Sequence, residues 1–192
     1  MSLSQRFVDA VAYAAEAHAG DVRKGSSVPY LTHPLAVAAI ALEHGADEDE
    51  AIAALLHDVI EDHGPAHRQS IRERFGERVL SIVEACSDSA GNPKPPWKER
   101  KLAYLDRLRG ASPSVLLVSA ADKLHNLQSI LRDYRSLGNE LWGRFKTGKD
   151  GVFWYYRTVL DALGEAPPAL RAELLIAFEG LEHLLREGKP RA

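Results

Sequence analysis

Apolar residues recur along this chain at the spacing of an α-helix. Phe7, Val11 and Ala14 mark one face of a first helix that ends near Gly20. No stretch shows the regular alternation of apolar and polar residues that is typical of a half-buried strand. The pattern therefore predicts an all-α protein.

Local signals place the boundaries of the later helices. Pro34 suits the first turn of a second helix and favours an extended backbone at His33 just before it. Asp47 or Asp49 can cap a third helix that runs to Val59 and beyond. Further helices are predicted over residues 68–75, 77–86, 98–109, 112–137, 151–163 and 168–187. Residues 87–97 hold three prolines and are predicted to form a surface loop.

The length of 192 residues fits one domain, so we predict a single-domain helical bundle spanning residues 1–192. Its core is expected over about residues 5–165. The last helix, about residues 168–187, is apolar on one face. This face is expected either to pack on the bundle or to form the contact in a homo-oligomer.

Composition narrows the classes of protein and of partner. The net charge is −3 and no basic block is present, so binding to duplex nucleic acid is not expected. Cys86 is the sole cysteine, which excludes an internal disulfide and suits a reducing compartment. Neither a membrane span nor the apolar core of a signal peptide is evident. A cytoplasmic protein without a membrane partner is therefore expected.

The segment from His57 to Asp62 concentrates ionisable residues at the end of an otherwise apolar helix. Residues three and four apart share a helix face, so Glu61 should lie over both His57 and Asp58. Three carboxylates at this end are unfavourable, because the helix dipole is negative there. A bound cation would offset them, and a solvated helix end with harmless acids is the alternative.

Asp122 follows a run of mostly apolar residues, 115–121, and is therefore predicted to be buried. A buried carboxylate is costly unless a metal ion, an arginine or several donors accompany it. His125 and Asn126 share its helix face. A structural aspartate satisfied by a neighbouring side chain is the alternative.

The chain has eight histidines, and most of them are predicted to be ordinary surface or core residues. His18 is expected to lie in the core or to support the site from the end of the first helix. The histidines assigned no role are His44, His63, His67 and His183.

The ordered set of these motifs resembles the HD superfamily, whose signature is His…His-Asp…Asp. It is most similar to the hydrolase domain of the RelA/SpoT alarmone enzymes, in its stand-alone small form of the metazoan SpoT homologue type. The matching stretches lie within about residues 5–165 and are 23–24, 29–34, 55–62, 75–76 and 121–126. The resemblance implies an HD-type helical bundle.

The resemblance also implies a metal centre and an acid–base pair. One divalent ion per chain would be held by His33, His57, Asp58 and Asp122. Glu61 and Asp62 would form the acid–base pair. Two imidazoles and two carboxylates suit manganese or iron and can also hold zinc or cobalt. Similar enzymes favour Mn²⁺, which is the ion we expect.

For the substrate, the resemblance implies that Arg23 stacks on a purine ring and that Lys24 balances phosphate charge. Asn126 would lie near the ribose and phosphate. Relatives carry an arginine and then a threonine after this asparagine, whereas this chain has Gln128 and Ser129. Ser129 keeps the hydroxyl group, but the positive charge is missing.

A lysine from the segment after the longest predicted helix is one candidate to restore this charge. Lys146 and Lys149 both lie there, and Lys149 is the residue that we assign to the substrate. Lysines on a loop without a role are the alternative.

The implied activity is that of a guanosine-3′,5′-bis(diphosphate) 3′-diphosphatase, which converts ppGpp or pppGpp to GDP or GTP and pyrophosphate. A phosphohydrolase acting on NADPH or another nucleotide is one alternative. A metal- or nucleotide-binding sensor that no longer catalyses is the other, although the presence of both Glu61 and Asp62 argues against it. The chain ends soon after the hydrolase-like region, so no synthetase domain is expected.

Overall fold

The structure is a computed structural model that describes residues 2–88 and 95–187. Every regular element within these two ranges is a helix, which confirms the predicted all-α class. The helices are α1 Gln5–Ala17, α2 Thr32–Glu43, α3 Glu48–Leu56, α4 Val59–His63, α5 His67–Phe75, α6 Glu77–Cys86, α7 Trp97–Leu108, α8 Pro113–Leu137, α9 Gly148–Ala162 and α10 Pro168–Glu187. A 3-10 helix, Gly138–Arg144, connects α8 to the segment before α9.

Helices α3 and α8 form the centre of the bundle. All residues from Ala51 to Leu56 are fully buried in α3, as is most of the N-terminal half of α8. Helix α2 packs against both of them, and α10 packs on α8 and buries Leu174 and Phe178. The predicted metal ligands therefore lie on the most deeply buried elements, which limits their freedom to move.

The predicted start signals of two helices are confirmed. Asp47 caps α3, because its carboxylate accepts the Glu50 backbone N–H at 3.0 Å while the Glu50 carboxylate accepts the Asp47 N–H at 2.8 Å. This reciprocal pair is a capping box. Ser112 caps α8, and Pro113 occupies its first turn.

The expectation of one continuous third helix through Val59 is wrong. Helix α3 ends at Leu56, His57 and Asp58 form a turn, and α4 begins at Val59. The ring of His57 hydrogen-bonds through Nδ1 to the Ala54 carbonyl at 2.8 Å. The Asp58 N–H would use this carbonyl in a continuous α-helix. The ligand pair therefore lies at a helix break.

Other boundaries also differ from the sequence prediction. Helix α2 begins at Thr32, so His33 lies inside its first turn instead of in an extended segment before it. Pro34 still fits, since the first amides of a helix have no helical partner. The predicted surface loop at residues 87–97 begins with two buried residues, Ser87 and Asp88, and residues 89–94 of it lie outside the described part. The 3-10 helix was not predicted.

Within the described ranges, no helix combines the length and apolar character needed to cross a bilayer.

Candidate metal centre and active site

The four predicted metal ligands meet at one point between α2, the α3–α4 turn and α8. The Nε2 atom of His33 lies 3.1 Å from Asp122 Oδ1 and 3.4 Å from Asp58 Oδ2. The Nε2 atom of His57 lies 3.1 Å from Asp58 Oδ2 and 3.6 Å from Asp122 Oδ1. These spacings match those between ligand atoms that share one ion at about 2.0–2.2 Å. Ligand atoms of His33, His57 and Asp58 all lie within 4.8 Å of one another, and Asp122 Oδ1 adjoins both imidazoles, so these residues can share one metal ion.

The hydrogen bonds of His57 leave one of its nitrogens available to a metal. Its Nδ1–H donates to the Ala54 carbonyl, so the lone pair of the neutral ring is on Nε2. That atom is buried and has no hydrogen-bond partner in the described part of the chain. An imidazole whose second nitrogen bonds a carbonyl is the usual arrangement of a metal ligand. The residues present thus fit a metal ion.

The charges at this point also favour a cation. Burial by itself would raise the pKa of Asp58, but the two neighbouring imidazoles outweigh burial and hold it well below the usual value. Burial would also raise the pKa of Asp122, but Lys123 and both imidazoles hold that pKa well below its usual value. The two carboxylates in turn raise the pKa of His57 well above its usual value, against the effect of burial. The site therefore attracts positive charge, as a proton or as a metal ion.

Three further residues orient the ligands. Tyr30 donates its hydroxyl proton to Asp58 Oδ2 at 2.6 Å. The side-chain amide of Asn126 donates to Asp122 Oδ1 at 2.5 Å, and Lys123 forms an ion pair with the other oxygen of Asp122. Asp122 therefore has both the neighbouring partners of a structural aspartate and the position of a metal ligand.

His125 orients the fourth predicted ligand, His33, through a hydrogen bond between the two rings. The Nδ1 atoms of the two rings are 2.7 Å apart, and the rings are stacked with centroids separated by 4.9 Å. Burial, together with the charges of His33 and Arg23, lowers the pKa of His125 to about 4. The Nδ1 atom of a neutral His125 can accept a hydrogen bond from His33 Nδ1–H, which leaves the Nε2 lone pair of His33 facing the carboxylates.

The predicted acid–base pair lies on α4, directly after the ligand Asp58. Glu61 accepts a hydrogen bond from the Asp88 backbone N–H at 3.2 Å, and its other oxygen lies 3.7 Å from Arg100 Nη1. Asp62 is exposed, and its charge acts with burial and with Asp58 to raise the pKa of Tyr30. Both carboxylates thus lie on the short helix that begins directly after Asp58.

Sequence analysis missed Asp88, whose backbone N–H bonds Glu61 and whose carboxylate pairs with Arg100 and Lys101. The carboxylate of Asp88 is 3% exposed and forms ion pairs with Arg100 and with Lys101, the latter at 2.6 Å. Burial would raise the pKa of Asp88, but these two cations lower it. Two consecutive cations at the start of α7 were the only sequence signal, and they carry no information about their partner.

A cavity of about 880 Å³ adjoins the metal centre. Tyr30, His125 and Asn126, which contact three of the four ligands, form part of its wall. A single carboxylate, that of Asp133, lines it among the described residues. Its cationic lining residues are Arg23, Lys24, Arg100, Lys101, Lys123, Arg132, Arg144 and Lys146. More cationic than acidic side chains therefore line the cavity, although Arg100 and Lys101 pair with Asp88, Lys123 with Asp122 and Arg144 with Asp133.

Four of the five predicted substrate residues line this cavity: Arg23, Lys24, Asn126 and Ser129. The guanidinium of Arg23 donates to Asn126 Oδ1 at 2.7 Å and lies 5.6 Å from the centre of the Tyr30 ring. Lys24 lies 5.4 Å from the centre of the Phe145 ring. The segment after α1 and the middle of α8 therefore contact each other and line the same cavity.

The fifth predicted substrate residue, Lys149, lies elsewhere. It lines a separate groove between α9 and α10, together with Arg157 and Glu182. Lys146 lines the cavity instead. The orientation of the turn before α9 separates these two lysines, and the sequence pattern does not reveal it. Sequence analysis also missed Arg132, which lines the cavity and donates to Ser129 Oγ at 3.2 Å.

Comparison with known proteins agrees with this geometry. The sequence profile described as HD domain matches residues 10–153. Over 128 residues the chain is 38% identical to the guanosine-3′,5′-bis(diphosphate) 3′-pyrophosphohydrolase MESH1 of Xenopus tropicalis, covering 65% of this chain and 69% of that protein. It is 36% identical over 132 residues to the bifunctional (p)ppGpp synthase/hydrolase SpoT of Escherichia coli. That match covers 66% of this chain but only 18% of SpoT, so the chain spans less than a fifth of this relative.

Two solved structures show the same fold. A metazoan orthologue of SpoT, described as hydrolysing ppGpp, superposes with a TM-score of 0.78 at 27% identity, over 96% of this chain and 99% of that one. A protein from Listeria monocytogenes superposes with a TM-score of 0.68 at 30% identity, over 78% of this chain and 97% of that one. With its His-Asp ligand set in one place and a profile match over most of its length, this chain belongs to the HD domain family.

Proposed function

We propose that this chain hydrolyses the 3′-diphosphate of ppGpp and pppGpp, releasing pyrophosphate and GDP or GTP. One observation carries the proposal. A centre of two histidines and two carboxylates adjoins a cavity that is lined by eight cationic side chains. A guanosine with diphosphates at two positions carries several negative charges that such a cavity can neutralise. The names of the relatives point to the same reaction.

His33, His57, Asp58 and Asp122 would hold one divalent ion, and we propose Mn²⁺ because the ligand set mixes imidazole and carboxylate. When bound, such an ion activates water and neutralises charge on a phosphoryl oxygen. The chain supplies the remaining steps. Tyr30 and Asn126 keep the two ligand carboxylates in position through the hydrogen bonds described above.

Glu61 and Asp62 would move the protons. Water attacks the phosphorus bonded to the 3′-oxygen, the bond to that oxygen breaks, and the water proton passes to a carboxylate. The 3′-oxygen leaves with a proton donated by the pair, so the protons balance. Glu61 is held in place by the Asp88 backbone and Arg100, whereas the exposed Asp62 can exchange protons with solvent.

The cavity would bind the nucleotide through contacts of two kinds. Arg23 would stack on the guanine, and Lys24 and Asn126 would contact the phosphate and ribose. For the charge that is missing at Gln128, we propose Arg132 and Lys146 in place of Lys149. Both line the cavity, and Arg132 already contacts the hydroxyl of Ser129.

A comparison of substrates tests this function. Purified protein with Mn²⁺ is given ppGpp, pppGpp, NADPH and GTP at equal concentration, and products are separated by ion-exchange chromatography. We expect pyrophosphate with GDP or GTP from the two alarmones. Release of phosphate from NADPH at a higher kcat/KM would transfer the assignment to a different nucleotide. No turnover of any compound, together with tight binding of ppGpp, would identify a sensor.

A further inference from the structure

A second group of metal-binding side chains lies outside the site described above. His18 ends α1, Asp21 lies in the segment after it, and His63 ends α4. His18 Nδ1 is 3.0 Å from His63 Nε2 and 3.3 Å from Asp21 Oδ2, and His63 Nε2 is 3.1 Å from the same oxygen. The sequence analysis assigned no role to His63.

Hydrogen bonds alone do not account well for this triangle. Both imidazoles can donate to the one carboxylate oxygen, but their two protonated nitrogens then lie only 3.0 Å apart. If one of these two ring nitrogens instead donates its hydrogen bond to the other, the Asp21 carboxylate accepts only one hydrogen bond from the pair. A cation at the centre satisfies all three lone pairs at once, without any proton between the rings.

The dimensions of the triangle suit a metal ion. An ion at about 2.1 Å from each atom, the usual distance for zinc with histidine or carboxylate, would lie only about 1 Å from the plane of the three. No side chain has to move to reach these distances. His63 is 24% exposed and Asp21 is 43% exposed, so solvent can complete the coordination.

Burial and charge at the triangle also suit a cation. The side chain of His18 is fully buried, whereas that of Asp21 is partly exposed. Asp21 supplies the negative charge that compensates a bound cation.

We infer that His18, Asp21 and His63 form a second divalent-cation site, of the class that binds Zn²⁺ through two imidazoles and one carboxylate. The inference rests on this triangle and not on the proposed hydrolysis. Its three ligands come from α1, the segment after α1 and α4, so a bound ion would connect these elements.

The site lies between the segment that carries Arg23 and the helix that carries Glu61 and Asp62. Asp21 is two residues before Arg23, and its carbonyl accepts the Tyr30 N–H at 2.9 Å. The His18 ring packs on the Tyr30 ring with centroids 4.7 Å apart. His63 directly follows the Glu61–Asp62 pair on α4. A bound ion would therefore hold the nucleotide-binding segment and the helix of the acid–base pair in a constant relative position.

Metal stoichiometry tests the site. The whole protein is stripped with a chelator and titrated with Zn²⁺ alone by calorimetry, followed by desalting and elemental analysis. We expect two equivalents in the wild type and one in His63→Gln and in Asp21→Asn. His67→Gln is the matched control, because His67 lies one turn beyond His63 and bonds Tyr13 through Nδ1 at 2.7 Å. It should keep both equivalents.

A further variant separates this site from the HD centre. Asp58→Asn should lose the other equivalent and keep the one that depends on His63. The inference is overturned if the wild type binds a single equivalent, or if His63→Gln and Asp21→Asn retain two. Circular dichroism on each sample shows whether a lost equivalent reflects a lost fold. Since nothing here measures turnover, failure of the proposed hydrolysis would leave the result unchanged.

Discussion

At the scale of single residues, the site depends on side chains that are oriented by their neighbours. His57 is oriented by the Ala54 carbonyl, His33 by His125, and Asp58 by the hydroxyl of Tyr30. Each ligand is therefore in position before substrate binds. Glu61 is held in a different way, by a backbone N–H and a guanidinium. This difference separates the ligands from the proposed acid–base pair and makes the two roles testable one by one.

Glu61→Gln tests the proton chemistry. Glutamine keeps the size of glutamate and can still accept the Asp88 N–H, but it no longer takes up a proton. Loss of a positioned acid or base typically costs about 10²–10⁴-fold in rate. We expect a fall in kcat of this order, with metal content unchanged by elemental analysis of the same sample. Loss of the metal in Glu61→Gln would instead make Glu61 a ligand.

Arg23→Ala tests the base contact. Truncation of a group that stacks on a base typically costs about 1–3 kcal/mol, which corresponds to about 5–150-fold in affinity. The KM for ppGpp should rise within this range, while kcat and metal content change little. Arg135→Ala, an exposed arginine on α8, is the control and should show wild-type kinetics. An unaltered KM in Arg23→Ala would exclude the base contact and leave Arg23 with its contacts to Asn126 and Tyr30 alone.

At the scale of helices, the sequence predicts features that depend on neighbouring residues, such as caps. It does not predict features that depend on side-chain contacts formed in the folded chain. The caps of α3 and α8 were identified because a cap needs only residues within one turn of each other. The break at His57 was missed because it depends on a ring that bonds Ala54, which periodicity does not encode. The start of α2 at Thr32 was missed because the bias against helix before a proline is only a preference.

Asp47→Ala tests the cap of α3, the helix that leads to the first ligand pair. Replacing an N-cap aspartate with alanine costs about 0.5–2 kcal/mol. For a chain of this size the thermal midpoint should fall by about 2–4 °C for each kcal/mol. Asp106→Ala is the control, since Asp106 is almost fully exposed at the far end of α7.

The pH dependence of this effect has a definite sign. Burial would raise the pKa of Asp47, but the Glu50 N–H and Arg78 lower it. The contribution of the cap is therefore complete above the unfolded pKa, about 3.9, and is lost as the pH falls through the folded value. The difference in stability between wild type and Asp47→Ala should be full at pH 7 and shrink below about pH 4. A difference that does not change with pH would mean that the carboxylate charge is not what stabilises α3.

At the scale of the whole molecule, the fold gathers charge that is dispersed along the sequence. The motif residues of the metal centre were predictable because each belongs to a short pattern. The cavity was only half predictable, because Arg100, Arg132 and Arg144 come from three elements that meet only in the folded chain. The ion pairs of Asp88 were not predictable, since the prolines that follow it indicate a surface loop but not which cations the folded chain brings to it.

The proposed metal centre would connect α2, the α3–α4 turn and α8, so ion binding should stabilise the whole bundle. An ion that binds only the folded state adds about 2.7 kcal/mol when its concentration is 100 times its Kd. At about 2–4 °C for each kcal/mol, Mn²⁺ added to chelator-stripped protein should raise the thermal midpoint by about 5–11 °C and restore turnover.

His57→Ala serves as the matched control for this titration, because it removes one ligand of the HD centre and leaves the His18 cluster intact. Its thermal midpoint should rise much less with Mn²⁺ than that of the wild type, and any rise that remains would come from an ion at the intact His18 cluster. A stripped wild type that hydrolyses ppGpp at the original rate would refute metal dependence. A Mn²⁺-dependent rise of equal size in His57→Ala would place the stabilising ion outside the four-ligand centre, and the cluster of His18, Asp21 and His63 would then be the first place to look for it.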